Sequence, residues 1–296
     1  MAFYYIYWHF QENNRMNWPI ISYYFSWKTA LVLIILSTFN WLLEILKWQN
    51  LVRSFKKISF LEASKQSLGS LTASIFTPNR IGEYGAKMLY FPKDEAKKVL
   101  FLNFINNSSQ MLVTCFFGIF GLVISTLTIK SNNASSWFSF KLKTIHFFIL
   151  IALIILSILM IKYRKIELYG FSLQKLIKKI KKVPSYLWRT NFQLAVMRYL
   201  LFSHQFYFLL VTFNCDINYS TALATIFIMY LLASIIPSIQ FIDVAIKGSV
   251  ALYLFSFIGI ENTKVITITS LMWIFNLVIP VLIGVYFVLR FKPQKE

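Results

Sequence analysis

The residues with most chemical capacity are Arg80, Glu83 and Lys87, which fall in the stretch Thr77-Pro-Asn-Arg-Ile-Gly-Glu-Tyr-Gly-Ala-Lys87, inside a region otherwise fit for hydrocarbon. Glu83 and Lys87 are four apart, so on a helix they share one face and can neutralise each other. Arg80 offers a planar guanidinium suited to two-pronged recognition of a phosphate. Pro78 donates no backbone hydrogen bond and disfavours helix at the residue before it, while Gly82 permits close backbone approach. A helix is therefore expected to stop here and another to start, its free N–H groups and partial positive charge aimed at a bound anion. A weaker copy follows at Pro237, Asp243, Lys247 and Gly248, again a proline, an acid and a base four residues on. Interrupted apolar segments in corresponding halves of a membrane chain, each carrying costly charge, point to a substrate site between them. The plainer alternative is two surface turns whose acids and bases are solvated.

The elements that position these groups are membrane helices. A chain of 296 residues that is 57% hydrophobic, with mean hydropathy +0.61, has more apolar surface than a soluble fold of that size buries. It reads as an all-α, polytopic bundle. Its net charge of +19 lies between the apolar blocks, so the expected partners are anionic lipid headgroups and not nucleic acid. Spans are expected over 29–48, 99–126, 144–163, 191–213 and 264–289. Two further segments, 66–91 and 220–257, are broken at their prolines and read as re-entrant.

Residues 1–28 form an aromatic interfacial segment, expected to be the remnant of a spanning helix whose beginning is missing. No cleavable signal peptide is recognisable there. Residues 162–189 form a basic linker whose middle could lie on the membrane as an amphipathic helix, or serve only as a topology anchor. Residues 291–296 are a tail. Placing the loops around 47–65, 93–98 and 162–189 and the tail in the cytoplasm puts twenty basic residues there and six opposite, as the positive-inside rule requires. The two broken segments then enter from opposite faces, an inverted repeat.

Polar stripes mark the faces turned toward protein. Asn40, Glu44 and Lys47 share one face of the first span, and Asn103, Asn107, Gln110 and Thr114 one face of the second. Interhelical hydrogen bonding alone could account for the second stripe. The candidate substrate-binding set is thus Arg80, Glu83, Lys87, Asp243, Lys247, Glu44 and Gln110. The acids would hold an ammonium group or carry protons, or else simply neutralise the lysines beside them. Enzyme chemistry lacks support: His9, His146 and His204 have no ligand spacing, and neither a nucleophile elbow nor a phosphate-binding glycine loop occurs. No metal or cofactor is expected. His204 reads as a hydrogen-bonded core histidine, and Cys115 and Cys215 as packing residues.

The motif Thr77-Pro-x-Arg80-Ile-Gly82-Glu83, with Ser109-Gln110 in the next span, resembles the signature of the lysylphosphatidylglycerol synthase transmembrane-region family of flippase-like proteins. Asn40-Trp41-x-x-Glu44-x-x-Lys47-Trp48 and Trp273-x-x-Asn276-x-x-x-Pro280 resemble a branch of it. The resemblance runs from about Leu31 to Leu289. It implies movement of aminoacylated phospholipid between leaflets, or handling of lipid or polyprenyl-linked sugars, in the cell membrane. Two departures stand out: Asn79 replaces a glycine common in relatives, and Asp243 and Lys247 replace a glycine-rich turn ending in Arg-Glu. The chain ends at Glu296 just past the last span, so the soluble aminoacyl-transfer domain, and synthesis of lysyl-lipid, are not expected. The leading expectation is a flippase-like protein that binds a phospholipid or lipid-linked anion between two re-entrant segments. The alternatives are a non-transporting lipid-binding or interaction subunit and, more remotely, a membrane-embedded transferase.

Overall fold

The computed structural model describes residues 24–129, 162, 173–181 and 183–291. The segment before residue 24, the expected span 144–163, much of the basic linker and the tail beyond residue 291 lie outside the described residues. Ten α-helices follow in order among the described residues: α1 (Trp27–Val52), α2 (Phe60–Ser74), α3 (Ile81–Met88), α4 (Ala96–Ile129), α5 (Leu173–Lys181), α6 (Ser185–Thr212), α7 (Tyr219–Ile235), α8 (Asp243–Ser256), α9 (Asn262–Trp273) and α10 (Ile279–Leu289). A π-helical segment, Ile274–Val278, joins α9 to α10. Four rods, Trp27–Val52, Lys93–Ser125, Ser185–Thr212 and Asn262–Leu289, are long and apolar enough to cross a membrane.

Local chemistry sets the starts. Ser26 caps α1 by accepting from the Thr29 N–H. Ser59 and Glu62 form a capping box at α2, each side chain accepting from the other's backbone N–H. The α2 and α3 helices, with 15 and 8 residues, reach only about 22 and 12 Å at 1.5 Å per residue, well short of a bilayer core of about 30 Å. They pack on each other, as do α7 and α8.

The loops gather at two ends. At one, Asn50 Nδ2 donates to Leu187 O at 3.0 Å, Tyr90 Oη donates to Lys65 O at 3.2 Å, and the Tyr90 ring meets Phe291 edge-on. At the other, Lys264 Nζ donates to Asn214 O at 3.3 Å and lies over the Tyr24 ring. The breaks after α2 and α7 meet each other. Asn79 N donates to Ser238 O at 2.8 Å, Ser238 N to Asn79 Oδ1 at 3.2 Å, and Phe241 N to Ile75 O at 3.2 Å. An antiparallel bridge pairs Pro78 with Ile239. Gly248, expected within the second break, instead lies inside α8, because the helix has already resumed at Asp243.

Close packing uses glycine where backbones touch. A Cβ at Gly121 of α4 would lie 2.8 Å from Ala224 O of α7. One at Gly284 of α10 would lie 2.3 Å from Leu68 O and 2.1 Å from Thr72 Oγ1 on α2, and Thr72 Oγ1 itself donates to Val281 O at 2.9 Å. Backbone cannot retreat as a long side chain can. Gly284→Ala is expected to destabilise the protein by about 1–3 kcal/mol, read as a lower unfolding midpoint in detergent, whereas Gly85→Ala, with open space around it, leaves the midpoint within error.

Candidate functional site

A further interruption lies at the entrance to α10. Pro280 has no N–H, so the carbonyls one helical turn before it lose their usual donor, and the π segment widens the turn. Donors from α1 take their place: Trp41 Nε1 donates to Asn276 O at 3.0 Å, and Ser37 Oγ donates to Phe275 O. Asn40 Nδ2 donates to Asn276 Oδ1 at 2.9 Å, and Asn276 Nδ2 donates to Gln205 Oε1 at 3.0 Å. This network ties α1, α6 and the final rod together beside the charged groups.

Two carboxylates organise those charges. On α1, Glu44 Oε2 is 3.2 Å from Lys47 Nζ and 3.0 Å from a terminal nitrogen of Arg198, while Oε1 accepts from Asn106 Nδ2 at 2.8 Å. On α3, Glu83 is 2.8 Å from Arg80 through one oxygen and 2.8 Å from Lys87 Nζ through the other. Lys47, Glu83 and Lys87 are each 1% exposed and Glu44 3%, so these charges depend on one another. Gln110 Oε1 accepts from Lys47 Nζ and Arg198, each at 3.4 Å, and Arg198 Nε donates to Asn40 Oδ1 at 3.0 Å. Lys87 also donates to Asn103 Oδ1 at 2.8 Å and sits 4.1 Å over the Trp48 ring.

A cavity of about 500 Å³ opens beside this cluster. Its charged wall is Glu44, Lys47, Arg80 and Arg198, and across from these stand Asp243 and Lys247, which pair with each other. Phe202, Met229, Tyr230, Met272 and Trp273 supply an apolar side. Such a cavity accommodates an anionic group attached to a hydrocarbon chain.

The geometry departs from the sequence expectations in four ways. Glu83 and Lys87 lie behind the wall and hold Arg80 and Asn103, so their contribution to a ligand passes through Arg80. The start of α3 presents few free donors: the N–H groups of Ile81, Gly82 and Glu83 go to Pro78 O, Thr77 Oγ1 and Arg80 O. The anion-attracting capacity therefore lies in side chains. His204 is hydrogen-bonded, through Nδ1 to Leu200 O and Nε2 to the Tyr219 hydroxyl, but it is exposed and not in the core. Arg198, which is not among the expected site residues, is central to the site. Its partners on α1 and α4 are distant in sequence, and only its position inside an apolar helix hinted at a role.

Asn79 and Arg80 both adopt left-handed backbone conformations, with φ of 48° and 59°. Asparagine tolerates this region better than most side chains. Arginine has no such preference, and the strain sits next to the cavity. Among the described residues no group of three or more His, Cys, Asp or Glu is placed to hold a metal ion.

Residues 16–284 match the family model described as the lysylphosphatidylglycerol synthase TM region. No curated protein matches the chain. With its apolar rods, this makes the protein a multi-pass membrane protein of a family associated with lipids.

The two-cations-per-carboxylate arrangement fixes the order of mutational costs. Glu83→Gln strands both Arg80 and Lys87 and is expected to destabilise by about 3–5 kcal/mol. Lys87→Met leaves Glu83 paired with Arg80 and is expected to cost distinctly less, with unfolding midpoints in detergent giving the comparison.

Proposed function

The chain belongs to the lysylphosphatidylglycerol synthase TM-region family, and from that premise we propose that it binds a lipid by its phosphate in the cavity between the two helix breaks and passes it between leaflets. The observation that carries this reading is the cationic wall of Lys47, Arg80 and Arg198 facing an apolar side within a membrane bundle. A phosphate would lie against the guanidinium groups, where charge-assisted hydrogen bonds are strongest, and its chains against Phe202, Met229 and Met272. The α2/α3 and α7/α8 pairs act as re-entrant hairpins entering from opposite faces, and the main-chain contacts between Asn79 and Ser238 act as the seam between them. Their short helices and touching breaks support this reading. The end carrying Asn50, Tyr90 and Phe291 is cytoplasmic, as the distribution of lysine and arginine favours, and the membrane is the cell membrane.

A second reading is a membrane subunit that holds a lipid without moving it. The observation in its favour is that each buried glutamate is already neutralised within the bundle, so the charges also serve as structural links.

Reconstitution separates the two. In proteoliposomes carrying fluorescent phospholipid, the native protein is expected to accelerate exchange between leaflets, and Arg80→Ala to slow it about ten- to hundredfold while the unfolding midpoint falls no further than that of Lys87→Met, since Glu83 keeps one cation in each. Lipid-dependent stabilisation without any exchange would favour the non-transporting subunit. For orientation, Lys57→Cys and Glu261→Cys, placed singly in a background lacking Cys115 and Cys215, are expected to react with an impermeant thiol reagent from the cytoplasmic and external sides respectively. Both labelling from one side would overturn the assignment.

A further inference from the structure

The charge balance of the cluster narrows the ligand beyond a lipid phosphate, and the narrowing rests on the reading of the cavity as the binding site. Each buried glutamate is shared by two cations: Glu44 by Lys47 and Arg198, Glu83 by Arg80 and Lys87. Asp243 and Lys247 are paired one to one. The assembly therefore carries two more positive than negative charges; Glu44, Lys47, Glu83 and Lys87 are buried, while Arg80, Arg198, Asp243 and Lys247 reach the cavity. Arg80 Nε is buried and has no hydrogen-bond acceptor in the protein. An excess of positive charge and an unused guanidinium donor beside the cavity favour an anion as the partner.

From this we infer that the site takes a lipid whose phosphate has no amine to offset it, and that it discriminates against aminoacylated, net cationic lipids. A lysyl ammonium entering the cavity would meet carboxylates that already have their cations: both Glu44 oxygens are engaged, by Asn106 and by Lys47 and Arg198, and Asp243 is held by Lys247. It would also meet Lys47, Arg80, Arg198 and Lys247 themselves. Like charge brought into such a site is rejected by repulsion as well as by the absence of a partner. A phosphate without an amine serves as the counter-ion that both glutamate clusters lack. Phosphatidylglycerol and a polyprenyl phosphate share this chemistry.

The test is a titration of purified, detergent-solubilised protein with each lipid, following the unfolding midpoint, so that the outcome does not depend on transport. Phosphatidylglycerol is expected to stabilise the protein with an apparent affinity at least about tenfold tighter than lysylphosphatidylglycerol. Polyprenyl phosphate added against phosphatidylglycerol identifies the source: competition points to isoprenoid lipids, its absence to glycerophospholipids, and both agree with an anionic ligand. Lys247→Glu, at a partly exposed wall position, removes the charge excess and is expected to bring the two affinities close to parity. Equal or tighter binding of lysylphosphatidylglycerol by the native protein would overturn the inference while leaving the cavity as the lipid site. If none of these lipids stabilises the protein, the binding site itself is misassigned, and the selectivity falls with it.

Discussion

The cost of holding charge away from water governs this structure. Six ionised groups, Glu44, Lys47, Arg80, Glu83, Lys87 and Arg198, are drawn from α1, the first break, α3 and α6, and they persist inside the bundle because each touches its counter-charge. Removing one partner strands another, which is why the helices that carry them cannot drift apart freely. The neutral polar groups have the same constraint. Asn106, Gln110 and Asn103 of α4 fill the remaining donors and acceptors around the glutamates and lysines, so α4 is held to α1 and α3 by specific bonds as well as by packing.

The backbone interruptions solve a related problem. A broken helix leaves donors and acceptors at its ends without intrahelical partners. Here the two breaks satisfy each other through Asn79 and Ser238, and the carbonyls freed by Pro280 and the π segment are taken by Ser37 and Trp41 of α1. The irregular backbone and the cationic wall are thus neighbours for one physical reason: both need polar company, and a shared cavity supplies it. The strain at Asn79 and Arg80 belongs to the same arrangement, since it turns Arg80 toward the cavity while Glu83 behind it holds the guanidinium.

Much of this was legible along the chain. The apolar runs marked the long helices, and the i to i+4 spacing of Glu83 with Lys87 and of Asp243 with Lys247 foretold ion pairs, because partners one helical turn apart meet whatever the tertiary fold. The stripe holding Asn40, Glu44 and Lys47 marked a buried face for the same reason. Less was legible where partners come from different helices. Arg198 reaches Glu44 and Asn40 across more than one hundred and fifty residues of chain, and Asn106, on the same face as Asn103 and Gln110 but not among the residues singled out there, binds Glu44.

Sequence by itself determined that the chain is a helical membrane protein, where its helices break, and which charges pair within a turn. Those properties follow from residue type and from spacing along one helix. Only the tertiary structure decided that both breaks meet, that Glu83 and Lys87 stand behind the cavity while Arg80 and Arg198 face it, and that two cations share each buried glutamate. These are distances between helices far apart in sequence, set by how glycines such as Gly121 and Gly284 let backbones approach and by which polar groups were left needing partners.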